Sequence, residues 1–158
     1  MSIMMIDVVA CNLQYRGMDR GISVEHFNSK KAFKNFDSIL QEYFLYLERL
    51  NFQDGGISWE NILSFYNILV ENEVDCEIIA YDNKRIYDVY NHKVELLGID
   101  IVKEMCESLI YYSEEWIDKS CLNENGLCRN IESVNEIVEQ SGENQDEWKP
   151  CWVYKVIV

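Results

Sequence analysis

Cys76-Glu77-Ile78-Ile79-Ala80-Tyr81-Asp82-Asn83-Lys84-Arg85-Ile86-Tyr87-Asp88-Val89-Tyr90-Asn91-His92-Lys93-Val94-Glu95-Leu96-Leu97-Gly98-Ile99-Asp100-Ile101-Val102 is the stretch that decides the fold. β-Branched and aromatic residues dominate it, broken at short intervals by turn formers. Cys76–Tyr81 reads as one strand, Arg85–Tyr90 as a second and Val94–Val102 as a third. Asp82-Asn83-Lys84 and Asn91-His92 supply the turns. Gly98 interrupts the third strand and marks a bulge. Three strands joined by tight turns predict an antiparallel meander.

On the N-terminal side the periodicity becomes helical. Phe33, Phe36, Leu40, Tyr43, Phe44, Leu47 and Leu50 recur at steps of three and four, which places them on one helix face over about 30–50. Asn28 or Ser29 supplies its cap. After Gly55-Gly56, Ser58 caps a second helix from Trp59 to about Asn72, with the stripe Ile62, Phe65, Tyr66 and Leu69. A short glycine-containing connection makes the two a helical hairpin. Residues 3–10 read as a buried strand ahead of it.

On the C-terminal side, Met105, Leu109, Tyr112 and Trp116 suit a helix with a widely spaced stripe. Leu122–Leu127 is a loop built on Asn125-Gly126. Ile131, Val134, Ile137 and Val138 predict a short amphipathic helix, followed by an exposed polar run, Ser141–Gln145. Pro150 suits the start of a last strand, Trp152–Val158. The expected fold is α+β over one domain, 1–158. A mostly antiparallel sheet, meander plus C-terminal strand, carries an N-terminal helical hairpin and a short C-terminal helix.

The charge is uneven. The net charge is −14, from 28 acids and 14 bases in 158 residues. Residues 1–50 are neutral, and the two later thirds, 51–100 and 101–158, each carry −7. A hydrophobic content of 48% excludes disorder as the general reason for the acidity. Negative charge argues against nucleic acid and anionic membrane as partners. No apolar run approaches the ~20 residues that span a bilayer. Met1–Ala10 has no Lys or Arg and is interrupted by Asp7, so a cytoplasmic location is expected. The six cysteines, Cys11, Cys76, Cys106, Cys121, Cys128 and Cys151, are then expected to be reduced, with Cys76 a small buried hydrophobe.

Familiar chemistry is absent from the spacing. Cys121 and Cys128 are too far apart for a zinc pair and have no nearby histidine. Only His26 and His92 could serve a cysteine nucleophile, and no elbow or glycine-rich oxyanion motif surrounds any cysteine. The phosphate-binding glycine motifs are missing. Asp82-Asn83-Lys84 lacks the spaced acids of a calcium loop. Carboxylate pairs occur by chance among so many acids. The chain is therefore expected to be no enzyme and to take no cofactor, metal or small-molecule ligand.

What remains is an acidic surface with interleaved aromatics. One cluster is Glu104, Glu107, Tyr111, Tyr112, Glu114, Glu115, Trp116 and Asp118. The other is Glu132, Glu136, Glu139, Glu143, Asp146 and Glu147, followed by Trp148. Steps of four, three and four place Glu132, Glu136, Glu139 and Glu143 on one helix face, where they repel by a few tenths of a kcal/mol per pair. Such a face serves either solubility or docking of a basic partner, where charge speeds encounter and aromatics anchor the contact.

Leu96-Leu97-Gly98-Ile99-Asp100-Ile101-Val102, Ser108, Leu122-Asn123-Glu124-Asn125-Gly126-Leu127 and Trp148-Lys149-Pro150-Cys151-Trp152-Val153-Tyr154 follow one another in an order that resembles a group of small acidic bacterial proteins. That group has a Leu-Gly-aromatic-Asp-Val strand, a Leu-Asn-Glu-x-Gly-Leu loop and a closing aromatic strand. Ile99 stands where the group has its aromatic. Its members are immunity partners of polymorphic or contact-dependent growth-inhibition toxins. The resemblance implies a non-enzymatic inhibitor that binds a cognate basic toxin domain, with a nuclease as the expected target. The alternatives are an acidic DNA mimic that inhibits a nucleic-acid enzyme, and a small enzyme.

Overall fold

The computed structural model describes residues 5–10, 59–71, 76–103, 107–112 and 115–158. These fall into two compact units, one containing 6–10, 59–71 and 76–79, the other containing Ala80–Val158.

In the first unit, strand β1 is Met5–Ala10 and helix α1 is Trp59–Glu71. Ile62, Phe65 and Leu69 are buried and Tyr66 is partly buried, which is the stripe expected from the spacing. The other half of the expected helical hairpin, 30–50, lies outside the described residues. Strand β2, Cys76–Asp82, has Cys76, Ile78 and Ile79 buried, so Cys76 does behave as a small hydrophobe.

The second unit is an antiparallel sheet with helices. Strands β3 (Asp88–Val89), β4 (His92–Lys103), β5 (Glu107–Ser108) and β6 (Lys149–Val156) all pair through β4. The long pairing is β4 with β6, from Val94 opposite Val156 to Val102 opposite Lys149. The expected meander is corrected here. Of Arg85–Tyr90 only Asp88 and Val89 are strand, and the long neighbour of β4 comes from the C-terminus. The reason is a side chain. The Tyr154 hydroxyl accepts the Ile86 N–H at 3.0 Å and donates to the Lys84 carbonyl at 3.2 Å, which removes those backbone groups from a ladder. The hairpin turn also shifts by one residue. Tyr90 and Asn91, at φ 48° and 64°, form it, and His92 already opens β4. Paired positive φ values match the right-handed twist of the flanking strands.

Helix α2 is the single turn Leu109–Tyr112, which holds two of the four residues of the helical stripe read there; Met105 lies outside the described residues and Trp116 lies in a turn. Glu107 and Ser108 pair with β4 instead, and Glu115–Ile117 is turn. A 3-10 turn follows at Lys119–Cys121, then helix α3 at Ile131–Ser141. Ile99 and Ile101 of β4, Leu109, Ile110, Ile117, Cys121, Cys128, Trp148 and the α3 residues Val134, Ile137 and Val138 form one buried cluster. Each fully buried aliphatic there contributes roughly 1.5–3 kcal/mol of transfer free energy.

The bulge expected at Gly98 is present. The β4–β6 register slips between Leu96 and Gly98, and Gly98 adopts φ +148°. A Cβ at Gly98 would stand 2.5 Å from the Leu127 Cβ and 2.8 Å from the Asn123 amide nitrogen. Gly98→Ala is therefore expected to destabilise by about 2 kcal/mol or more, combining overpacking with a disfavoured backbone. Ile137→Ala, at a fully buried site, should cost roughly 2–5 kcal/mol. Urea unfolding of the two variants against the parent chain checks both.

Candidate partner-binding surface

Helix α3 owes its place to local chemistry. The Asn130 side chain accepts the Ser133 N–H at 2.9 Å as the N-cap, and Gly142 closes the helix at φ 69°. Ser133, Val134, Ile137 and Val138 face inward. Glu132, Glu136 and Glu139 are exposed on the other side. The expected ladder of four acids is corrected to three, because the helix ends at Ser141 and Glu143 stands beyond its glycine cap. No basic residue occupies the last turn. Glu139 there opposes the helix dipole, at a cost of about 0.3–1 kcal/mol for a group of this kind.

Three of the expected contact acids have work within the chain. Glu136 accepts the Cys121 thiol at 3.1 Å, and this bond, with burial, pushes the thiol up from its ordinary range. Asp118 caps the 3-10 turn, accepting the Ser120 N–H at 2.9 Å, and the Ser120 bonds hold its carboxyl below the usual range. Glu147 pairs with Lys103 at 3.1 Å, and the same ammonium lies 5.9 Å over the buried Trp148 ring. Glu115, Glu132, Glu139, Glu143 and Asp146 are exposed and carry no ion pair among the described residues. Trp116 beside Glu115 is 44% exposed. Glu107, Tyr111 and Tyr112 lie on β5 and α2, with side chains outside the description; Glu104 and Glu114 lie outside the described residues altogether.

Sequence reasoning passed over one buried node. Asp100 of β4 is fully buried, and its Oδ1 accepts the Ser108 hydroxyl at 2.7 Å and the Ile101 N–H at 2.8 Å. Its Oδ2 has no hydrogen-bond partner among the described residues. Burial pushes this carboxyl up to about 7 against the two hydrogen bonds, and burial followed by the Asp100 charge pushes the Cys128 thiol up to about 12. In the sequence this node shows as an acid in an otherwise apolar strand, with Asp100 and Ser108 both among the residues of the resemblance. His92 sits at the opposite end of β4, about 26 Å away at strand rise, so it does not join Asp100 and Ser108 in a triad. No group of three or more His, Cys, Asp or Glu among the described residues could hold a metal ion, and no described helix is long and apolar enough to cross a membrane.

The residues that carried the family resemblance meet in one joint. The Asn123 and Asn125 amides both donate to the Leu97 carbonyl, at 2.7 and 3.0 Å, beside the Gly98 bulge. The Asn123 Oδ1 accepts the Asn125 and Leu127 N–H groups at 2.9 and 3.2 Å. Ile99 and Cys128 exchange backbone bonds at 3.0 and 2.8 Å. These residues shape the chain under α3, and of the acids in the motif Asp100 is buried and Glu124 exposed.

Asp100 gives a pH dependence of defined sign. Its folded value, about 7, lies above its ordinary 3.8, so the folded state binds the proton more tightly. That contribution is full below pH 4, declines between about 4 and 7, and is flat above. Asp100→Asn removes it. Relative to the parent chain the variant is expected to gain stability between pH 5 and pH 8, as measured by urea unfolding at both. An unchanged difference between variant and parent would place the carboxyl's titration elsewhere.

The chain matches no protein-family model, no curated protein and no solved structure.

Proposed function

We propose that the protein is a non-enzymatic binder of the immunity type, which neutralises a basic toxin domain by docking it on the outer face of α3 and the loop that follows. The observation that carries this reading is the set Glu132, Glu139, Glu143 and Asp146. These acids are exposed and without ion pairs among the described residues, next to or on a helix whose inner face is locked into the core. Glu139 stands in the last turn and Glu143 just past the glycine cap, at the helix end that disfavours negative charge. A chain that accepts that cost on a rigid element presents a preorganised negative field to a partner. Trp116, half-exposed in the preceding segment, offers an aromatic anchor of the kind that dominates contact energy. The charge of the last third and the family resemblance agree with this reading, and the expected target remains a nuclease.

The direct test is association with the product of the gene immediately upstream, which this reading expects to carry a basic toxin domain. Glu132→Lys combined with Glu139→Lys is expected to weaken binding at least tenfold. Thermal unfolding should change little, because both side chains are on the solvent face. The dissociation constant of the parent chain should rise steeply with salt. A constant indifferent to salt and to both substitutions would rule out docking on α3.

A further inference from the structure

A second surface has the opposite chemistry. The segment between β2 and β4 holds Lys84, Arg85 and Tyr87, all exposed, with Tyr87 at 89% the most exposed large hydrophobic side chain among the described residues. None of the three has an ion pair or hydrogen bond from its side chain among the described residues. Tyr90, in the hairpin turn at φ 48°, is 47% exposed. A tyrosine in the left-handed region is uncommon, and Asn or Gly would serve the same turn with less strain.

The segment is nevertheless held firmly. Asp82 Oδ1 accepts the Lys84 N–H at 3.0 Å. Tyr154 ties down both the Lys84 carbonyl and the Ile86 N–H. Ile86 and Val89 are buried, and Val89 pairs with His92. Tyr87 is thus displayed from a fixed backbone, so contact with it requires little ordering of the chain.

Charge selects the partner. Asp88 faces Lys93 across β3 and β4, and Glu95 faces Lys155 across β4 and β6, so these charges offset one another locally. Lys84 and Arg85 remain as exposed cations beside the tyrosine without an ion pair among the described residues, and the acid nearest them in sequence, Asp82, is buried. Glu147 is bound to Lys103 at the far end of β4, about 33 Å from Lys93 at strand rise. That is several times the Debye length of about 8 Å at physiological salt. A short anionic segment on the tip meets the exposed Lys84 and Arg85, with Asp82 shut away from solvent. A long polyanion such as nucleic acid would extend into the field of the remaining acids.

We propose that the rigid Lys84–Tyr90 segment is a docking site for a short acidic peptide segment of a partner protein, with Tyr87 as the apolar anchor and Lys84 and Arg85 as the charge contacts. It is independent of the acidic surface on α3.

The test uses the full isotope-labelled chain and the blocked pentapeptide Glu-Glu-Leu-Glu-Glu, followed by amide chemical shifts at low ionic strength. Shifts confined to 84–91 are expected, weakened at least fivefold by Tyr87→Ala and at least tenfold by Lys84→Glu with Arg85→Glu. All three side chains are exposed, so thermal unfolding of the variants should match the parent, and Glu132→Lys should leave the peptide's affinity unreduced. Absent shifts, shifts centred on α3, or affinity indifferent to the tip variants would overturn the proposal. So would tighter binding of oligothymidine than of the peptide, which would assign the tip to nucleic acid. Self-association abolished by Tyr87→Ala would assign it to a second copy of the chain.

Discussion

One extra residue in β4 organises the C-terminal unit. At Leu97 the ladder with β6 slips, the Leu97 carbonyl turns away from β6, and two asparagine amides from a single loop close on it. The loop comes so near that a side chain at position 98 would collide with it. With the loop fixed there, Cys128 exchanges backbone bonds with Ile99, and Asn130 begins α3 shortly afterwards. The direction and burial of α3 therefore depend on a backbone kink that only glycine accommodates.

The acidic excess of the two later thirds includes three kinds of acid once the side chains are placed. Asp118, Glu136 and Glu147 hold a turn, a thiol and a lysine. Asp100 is buried and held by Ser108 and its neighbour's amide. Glu132, Glu139, Glu143 and Asp146 face solvent without a counter-charge among the described residues. Only the last kind is available to a partner. Opposed to it is a cationic, tyrosine-bearing tip at the other end of β4, which charge counted by thirds of the chain conceals.

Much of this was legible beforehand, and the legible part shares a cause. α1 and α3 announce themselves by apolar steps of three and four, and the bulge by a glycine inside an apolar strand. Each is a local preference carried by a few neighbouring residues. The strand expected at Arg85–Tyr90 failed because a hydroxyl from residue 154 competes for its backbone groups. The stripe Met105, Leu109, Tyr112 and Trp116 yields one described helical turn, beside a short pairing of Glu107 and Ser108 with β4. The hydroxyl is remote in sequence and leaves no local mark, whereas Glu107 and Ser108 pair with Lys103 and Val102 a few residues away.

The sequence by itself determined the α+β class, the inner faces of α1 and α3, the kink at Gly98 and the excess of acid toward the C-terminus. Periodicity and net charge are short-range or additive properties, so they can be read without a fold. Tertiary structure alone decided that β6 lies beside β4, that Asp100 is shut away from water, and that only some acids on and after α3 stay uncompensated. Those outcomes depend on which distant groups reach one another after chain closure, and partners such as Cys121 for Glu136 or Lys103 for Glu147 exist only when the sheet has formed.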